Sequence, residues 1–364
     1  MVTEVSGAPQ RGRRQFLGGL IAAGVLPVPG WADAGSPAYL AAGARADGTY
    51  LLCGIAADLS VLFEIPLPAR GHAAAAHPTR PQAVAFARRP GTFAVVIDCA
   101  TGRQQARLTC PEGRHFYGHG VFSAGGEWLF TTENDFEAGA GRIGIWDVAA
   151  GYRRRGEISS GGIGPHDIKR LPGTDILVVA NGGIDTHPDT GRTKLNIPTM
   201  APNLSYIDQG KIVEQAALPH GQHKNSIRHL AVGPGGDVVF GMQWQGEEPV
   251  EALVGRHRRG GQIALFDAPP EAVREMEGYI GSIASSPDGT RVAVTSPRGN
   301  RVQIFDTGTM ALSQVISLND VCGVAPAEGG FTVTTGAGEL RCLRGSGEAR
   351  AKADLMWDNH LIPV

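Results

Sequence analysis

Little in this chain argues for a helical or membrane-embedded protein. Beyond the N-terminal 30 residues or so, no apolar run approaches the roughly 20 residues that a membrane-spanning helix needs. Apart from "PPEAVREMEG", which reads as one or two helical turns, nothing sustains a 3.6-residue period. Cysteine is scarce. Cys53, Cys99, Cys110, Cys322 and Cys342 make five, and no two stand in C-x-x-C spacing, which argues against a thiolate zinc or haem-attachment site. The odd count leaves at least one free thiol. Cys99 and Cys110 could meet across neighbouring strands in an oxidising compartment; the alternative is that both are small buried apolar residues. Charge is sparse and balanced, with 33 Lys and Arg against 35 Asp and Glu, so neither nucleic acid nor an anionic membrane is an expected partner. No G-x-S-x-G elbow, Walker loop, dinucleotide fingerprint or helix-borne H-E-x-x-H occurs.

What is abundant is glycine: 52 residues, with 24 prolines, spread between short apolar runs and without a G-X-Y period. Many tight turns mean many short strands. The N-terminal stretch "RGRRQFLGGLIAAGVLPVPGWADAG" has the parts of an export signal. Arg13 and Arg14 form the charged end, an apolar segment follows, and Ala32-Asp33-Ala34 fits small-x-small cleavage. "RRQFL" resembles the twin-arginine signal, with a Sec signal or an uncleaved anchor as alternatives. The expected organisation is a signal peptide over residues 1–34 and one folded domain over 35–364, located in the periplasm.

A pattern recurs along that domain: apolar strand, Gly/Pro/Asp turn, apolar strand, then an apolar-Asp pair. "HGVFSAGGEWLFTTEND" leads to "GRIGIWD", "HDIKRLPGTDILVVANGG" to "LSYID", "HLAVGPGGDVVFGMQW" to "GQIALFD", and "SIASSPDGTRVAVTSPRGNRVQIFD" is the most compact copy. Repeats begin near His72, His119, His166, His229, Ser282 and Val321. "WDNHLIPV" at the C-terminus offers one strand, and the segment after Pro37 offers three without a leading one. Together they complete a seventh unit. The sequence therefore predicts an all-β, seven-bladed β-propeller of the YVTN/WD40-like or quinoprotein-like kind, with one blade shared between the termini.

The histidines stand at one place in this repeat. His119 precedes the Ser123–Gly126 turn by four residues, which puts it on the innermost, channel-lining strand. His72, His166 and His229 take nearly the same place, and His360 takes it in the C-terminal strand. Gly71-His72 and Gly118-His119 mimic the structural Gly-His of WD repeats, but that histidine lies upstream of the inner strand, so the register differs. Two readings follow. The rings belong to a scaffold bonded to backbone or channel water, or they form a metal or anion site. Neutral imidazole suits iron, copper or zinc; protonated rings would draw an anion, with a switch near the usual His pKa of about 6.5. A second set of candidates is placed on loops at one rim: Glu133, Asn134 and Asp135 after one second strand, and Asn181, Asp185 and His187 after the next. The insertion "DTHPDTGRTKLNIPTMAPN" makes that blade the most elaborated. Arg256 and Arg258 of "GRHRRGG" are candidates for an anion or acidic partner.

Several longer stretches carry a resemblance: "HPTRPQAVAFARRPGTFAVVID", "GRHFYGHGVFSAGGEWLFTTEND", "GGIGPHDIKRLPGTDILVVANGGIDTHPDTGRTKLNIPTMAPNLSYID", "SIRHLAV", "LVGRHRRGG", "YIGSIA" and "VAVTSPRGN". Together they cover most of residues 70 to 325, and the chain resembles the bacterial DUF1513 proteins. The resemblance implies a twin-arginine-exported periplasmic propeller that works beside iron-uptake proteins of the imelysin-like or peroxidase-like kind. It carries no catalytic residues over. Two functions are expected in consequence: a monomeric, non-catalytic propeller that binds metal or docks onto an iron-uptake partner, or a quinoprotein-like or lactonase-like enzyme using channel histidines with rim carboxylates.

Overall fold

The computed structural model describes residues 28–87, 92–191, 193–344 and 347–364; Arg13 and Arg14 of the expected signal lie outside them. The chain forms seven four-stranded antiparallel sheets. We number them as blades in ring order. Blade 2 runs over residues 71–109, blade 3 over 114–159, blade 4 over 165–217, blade 5 over 225–265, blade 6 over 282–317 and blade 7 over 321–352. Blade 1 takes three strands from 39–67 and its inner strand, Met356–Pro363, from the other end of the chain. This is the seven-bladed propeller predicted from the repeat, with the shared blade where the terminal fragments placed it.

The ring closes by strand pairing. Tyr39 to Ala41 align with Pro363 to Leu361, and the Val364 amide donates to the Ala38 carbonyl at 3.1 Å. Each blade begins at the axis and works outward, so the seven inner strands touch one another around the channel. The second strands are largely buried on both faces, and several, such as Tyr50–Ile55 and Val238–Trp244, are near-continuous apolar runs rather than alternations. Leu177–Asn181 is buried at every position. Outer strands face solvent, as in Arg103–Thr109 and Lys211–Ala217, where Arg103, Arg107, Lys211 and Glu214 help to blunt the exposed edge.

The core lies between blades. Ala75, Val84, Phe86 and Val96 of blade 2 pack against Phe116, Leu129 and Trp146 of blade 3 in one cluster. Similar clusters fill the other gaps. No blade buries its faces alone, so the described chain is one cooperative body. Pro270–Arg274 forms a short helix, α1, between blades 5 and 6. Among the described residues no helix is long and apolar enough to cross a membrane. All five cysteines are free thiols, so Cys99 and Cys110 form no bridge. The ordered body reaches back ahead of Gly35: Trp31–Ala34 makes a 3-10 turn, and the Trp31 indole donates to the His77 carbonyl at 2.8 Å.

Candidate metal centre in the axial channel

The inner strands of blades 1 to 5 deliver His360, His72, His119, His166 and His229 in ring order. Ring centroids of successive members lie 4.6 Å (His360–His72), 5.1 Å (His72–His119), 5.1 Å (His119–His166) and 4.7 Å (His166–His229) apart. His229 and His360 close the circuit at 5.0 Å, and His119 also comes within 4.7 Å of His360. Blade 6 offers Ser282 at this level, and blade 7 offers Cys322 and Val324.

A regular strand alternates its side chains between two faces and would not aim every ring at one point. Here the ladder breaks register at each histidine. The breaks fall between Gly71 and Ala74, between Phe116 and Gly120, between Pro165 and Asp167, between Ile227 and His229, and opposite the Trp357–Leu361 segment. Such bulges re-aim side chains. The inner strand of blade 6, Ser282–Ser285, pairs without a break. Gly118 serves the same cluster. Its φ of +102° is in the region that favours glycine, and a Cβ there would lie 2.6 Å from Cδ2 of His72. The Gly-His dipeptide thus makes room for a neighbouring imidazole.

The ring nitrogens have assigned surroundings. Asp167 Oδ1 lies 3.2 Å from His119 Nδ1, both groups being buried. Asp167 also accepts from the Ile168 amide at 2.8 Å, the Leu230 amide at 2.9 Å and Lys169 Nζ at 3.0 Å. Burial alone would raise its carboxyl pKa; the Lys169 ammonium, His119 and the Leu230 amide outweigh that and hold it well below the usual carboxylate range. With Nδ1 donating to Asp167, His119 turns the lone pair of Nε2 into the cluster. His166 Nδ1 lies 3.1 Å from the Arg228 carbonyl, which leaves its Nε2 in the same role. Asp358 Oδ1 stands 3.6 Å from His72 Nδ1, while its Oδ2 accepts from Arg70 Nε at 2.8 Å. Nε2 of His119, Nε2 of His360 and both nitrogens of His229 are buried without a hydrogen-bond partner.

Burial dominates the protonation of the group. It lowers the His119 pKa to about 4 against the opposing pull of Asp167. Burial, then the neighbouring imidazoles, lower His166, His229 and His360 well below the usual value. At neutral pH these four rings are uncharged lone-pair donors, which suits a cation and not an anion. Ligand atoms of His72, His119 and His166 all lie within 4.8 Å of one another, as do those of His119, His229 and His360. The two triads share His119.

The rim candidates do not join this cluster. Glu133, Asn134 and Asp135 are not on a loop: the second strand of blade 3, Trp128–Asp135, runs on through all three and buries them. Glu133 is fully enclosed and held by Arg154 at 2.6 and 2.9 Å. Asn134 donates to the Thr186 carbonyl at 3.0 Å, and Asp135 pairs with Arg114 and Arg142. Asn181 is likewise inside a strand, donating to Ser160 O and Asn203 Oδ1. The Asp185 amide donates to Asn196, and His187 Nδ1 accepts from the Asp189 amide. Arg256 donates to the Thr307 carbonyl, and Arg258 pairs with Asp237. Their partners lie outside the channel cluster, and among the described residues no ion pair joins Glu133, Asp135 or Asp185 to a channel imidazole.

Asp167, Lys169 and Asp358 escaped the sequence reading, and Gly118 was read only as half of a WD-like Gly-His pair. Asp358 had a usable signal, since D-x-H in a strand puts both side chains on one face. Asp167 did not: beside His166 in a regular strand it would point away, and only the bulge turns it toward the cluster.

The comparisons agree with this architecture. Hydrazine synthase from Kuenenia stuttgartiensis superposes with a TM-score of 0.59 at 13% identity, over 84% of this chain and 89% of that one, a likeness of fold alone. No curated protein sequence matches the chain. The family model described as "Protein of unknown function (DUF1513)" matches residues 65–364, which takes in six whole blades and the strand that closes the ring. The chain belongs to the DUF1513 family.

Proposed function

We propose that this protein is an exported, non-catalytic propeller that holds a first-row transition-metal ion on its axis. One observation carries the reading: five imidazoles from five consecutive blades converge, with buried Nε2 atoms of His119, His229 and His360 lacking any hydrogen-bond partner. A buried polar atom left unpaired costs about 1–3 kcal/mol, and a bound cation removes that cost for several at once. Asp167 behind His119 is the carboxylate–histidine arrangement that fixes ring orientation and raises ligand basicity. An all-nitrogen donor set favours zinc, copper or iron over magnesium or calcium.

The N-terminal twin-arginine-like segment supports a periplasmic location, reached in the folded state. The family resemblance supports work alongside iron-handling proteins. The buried, ion-paired state of Glu133 and Asp135 weighs against a hydrolytic enzyme using those carboxylates. Metal analysis of protein isolated from the periplasm tests the reading. The parent chain is expected to carry about one equivalent of metal, and His119→Ala, which removes the member common to both triads, almost none. Equally low metal in both would overturn it.

A further inference from the structure

A cavity of about 390 Å³ opens on the axis at the end of the channel toward which the inner strands run. All seven blades line it. Its inner end is formed by His229, His360 and Asp167, whereas His72, His119 and His166 do not line it. Most of its wall is apolar, with Val121, Leu230, Ile283, Val324 and Leu361 among the contributors. Its charged groups are Asp167, Lys169 and Arg170. Arg170 is turned to the Thr174 carbonyl at 2.8 Å, and Asp167 is saturated by its four donors. Lys169, about one-third exposed, spends one of its three donors on Asp167. Its charge reaches both His119 and His360, where it opposes protonation.

We propose that this funnel admits a small monoanion to an open coordination position at the His119–His229–His360 face, with Lys169 as its charge partner. The proposal rests on the metal reading above and names the ligand class for that site. Three histidine ligands with a vacant fourth position is the arrangement of an ion that accepts exogenous ligands. Apolar walls strengthen the attraction between Lys169 and an anion by excluding water. They also select against large, heavily hydrated ions. A 390 Å³ cavity is at the small end of ligand sites and leaves ample room for a small monoanion or a short carboxylate.

Azide is the probe, and cobalt(II) the reporting metal. The full folded chain is loaded with cobalt, its cobalt content is measured, and azide is titrated while the visible d–d bands are followed. Saturable spectral change is expected. At equal cobalt occupancy Lys169→Ala should bind azide about 10- to 100-fold more weakly, the scale of one charge-assisted contact, while Lys169→Arg should stay near the parent. Ser285→Trp, which crowds the funnel wall away from the ligands, should slow azide association. Cobalt-loaded parent that ignores azide, a Lys169→Ala variant that binds it as tightly as the parent, or an unchanged rate in Ser285→Trp would each overturn the proposal and leave the metal reading standing. A parent chain that takes up no cobalt would instead overturn the metal reading.

Discussion

Blades 1 to 5 and blades 6 and 7 have the same four-stranded plan but treat the axis differently. The first five bend their inner strands at a bulge and present an imidazole. Blade 6 runs straight past the axis with Ser282, and blade 7 breaks its ladder between Val321 and Val324 without offering a histidine. Between-blade packing is equally dense in both arcs: Phe331 and Val333 of blade 7 are as buried as Phe86 and Val84 of blade 2. The ring therefore does not need histidines to close. The five converging imidazoles, three of them buried, are a local addition to a packing plan that blades 6 and 7 complete without them.

That contrast can be broken from either side. In the blade 6–7 arc, Phe331→Ala should lower stability by about 3–5 kcal/mol through the cavity it leaves, read as a shift in the denaturation midpoint, with metal content per folded molecule unchanged. A matching loss of metal would show that the two arcs are not separable. In the histidine arc, acid should act on the metal-free chain. The folded His119 pKa, about 4, lies below the unfolded value of about 6.5, so the unfolded state binds more protons between these limits. Stability is then full above pH 6.5 and falls as pH drops toward 4. His119 alone contributes on the order of 3 kcal/mol to this loss, and His166, His229 and His360 act in the same direction. Urea denaturation at stepped pH reads it, and His119→Gln should flatten the slope.

Smaller effects sharpen the comparison. Asp167→Asn keeps the side-chain shape and removes the charge behind His119, so metal affinity should drop about 10- to 100-fold, measured by chelator competition. Ser282→Ala, at the histidine level of blade 6, should leave metal affinity unchanged. It should cost about 1 kcal/mol at most, because its hydroxyl takes only a 3.3 Å contact from the Val324 amide.

Most of the architecture was legible because its signals are local and repeated. Each "SPDGT"-type turn, apolar pair and terminal Asp marks a blade, and an incomplete unit at each end forces the shared blade. The channel position of the histidines followed from counting back from the turn. What could not be counted was the bulge, where one unpaired residue reverses the alternation. It turns Asp167 toward the channel although it directly follows His166. The rim loops failed for a related reason. Glu133, Asn134 and Asn181 are polar, so they read as loop residues, yet the strands continue through them because Arg154, Thr186, Ser160 and Asn203 satisfy them inside.

His360 lies on the strand that pairs the two ends of the chain, and it is made after every other described strand. The centre is therefore complete only when the ring is shut. An ion coordinated there would link blade 1 to blades 3 and 5 through His119 and His229, acting as a latch across the seam. Opening the ring would require losing the ion, and losing the ion would loosen the seam. Metal content would then report whether the molecule is closed, and a chain exported in its folded form would leave the cell interior with that record already set.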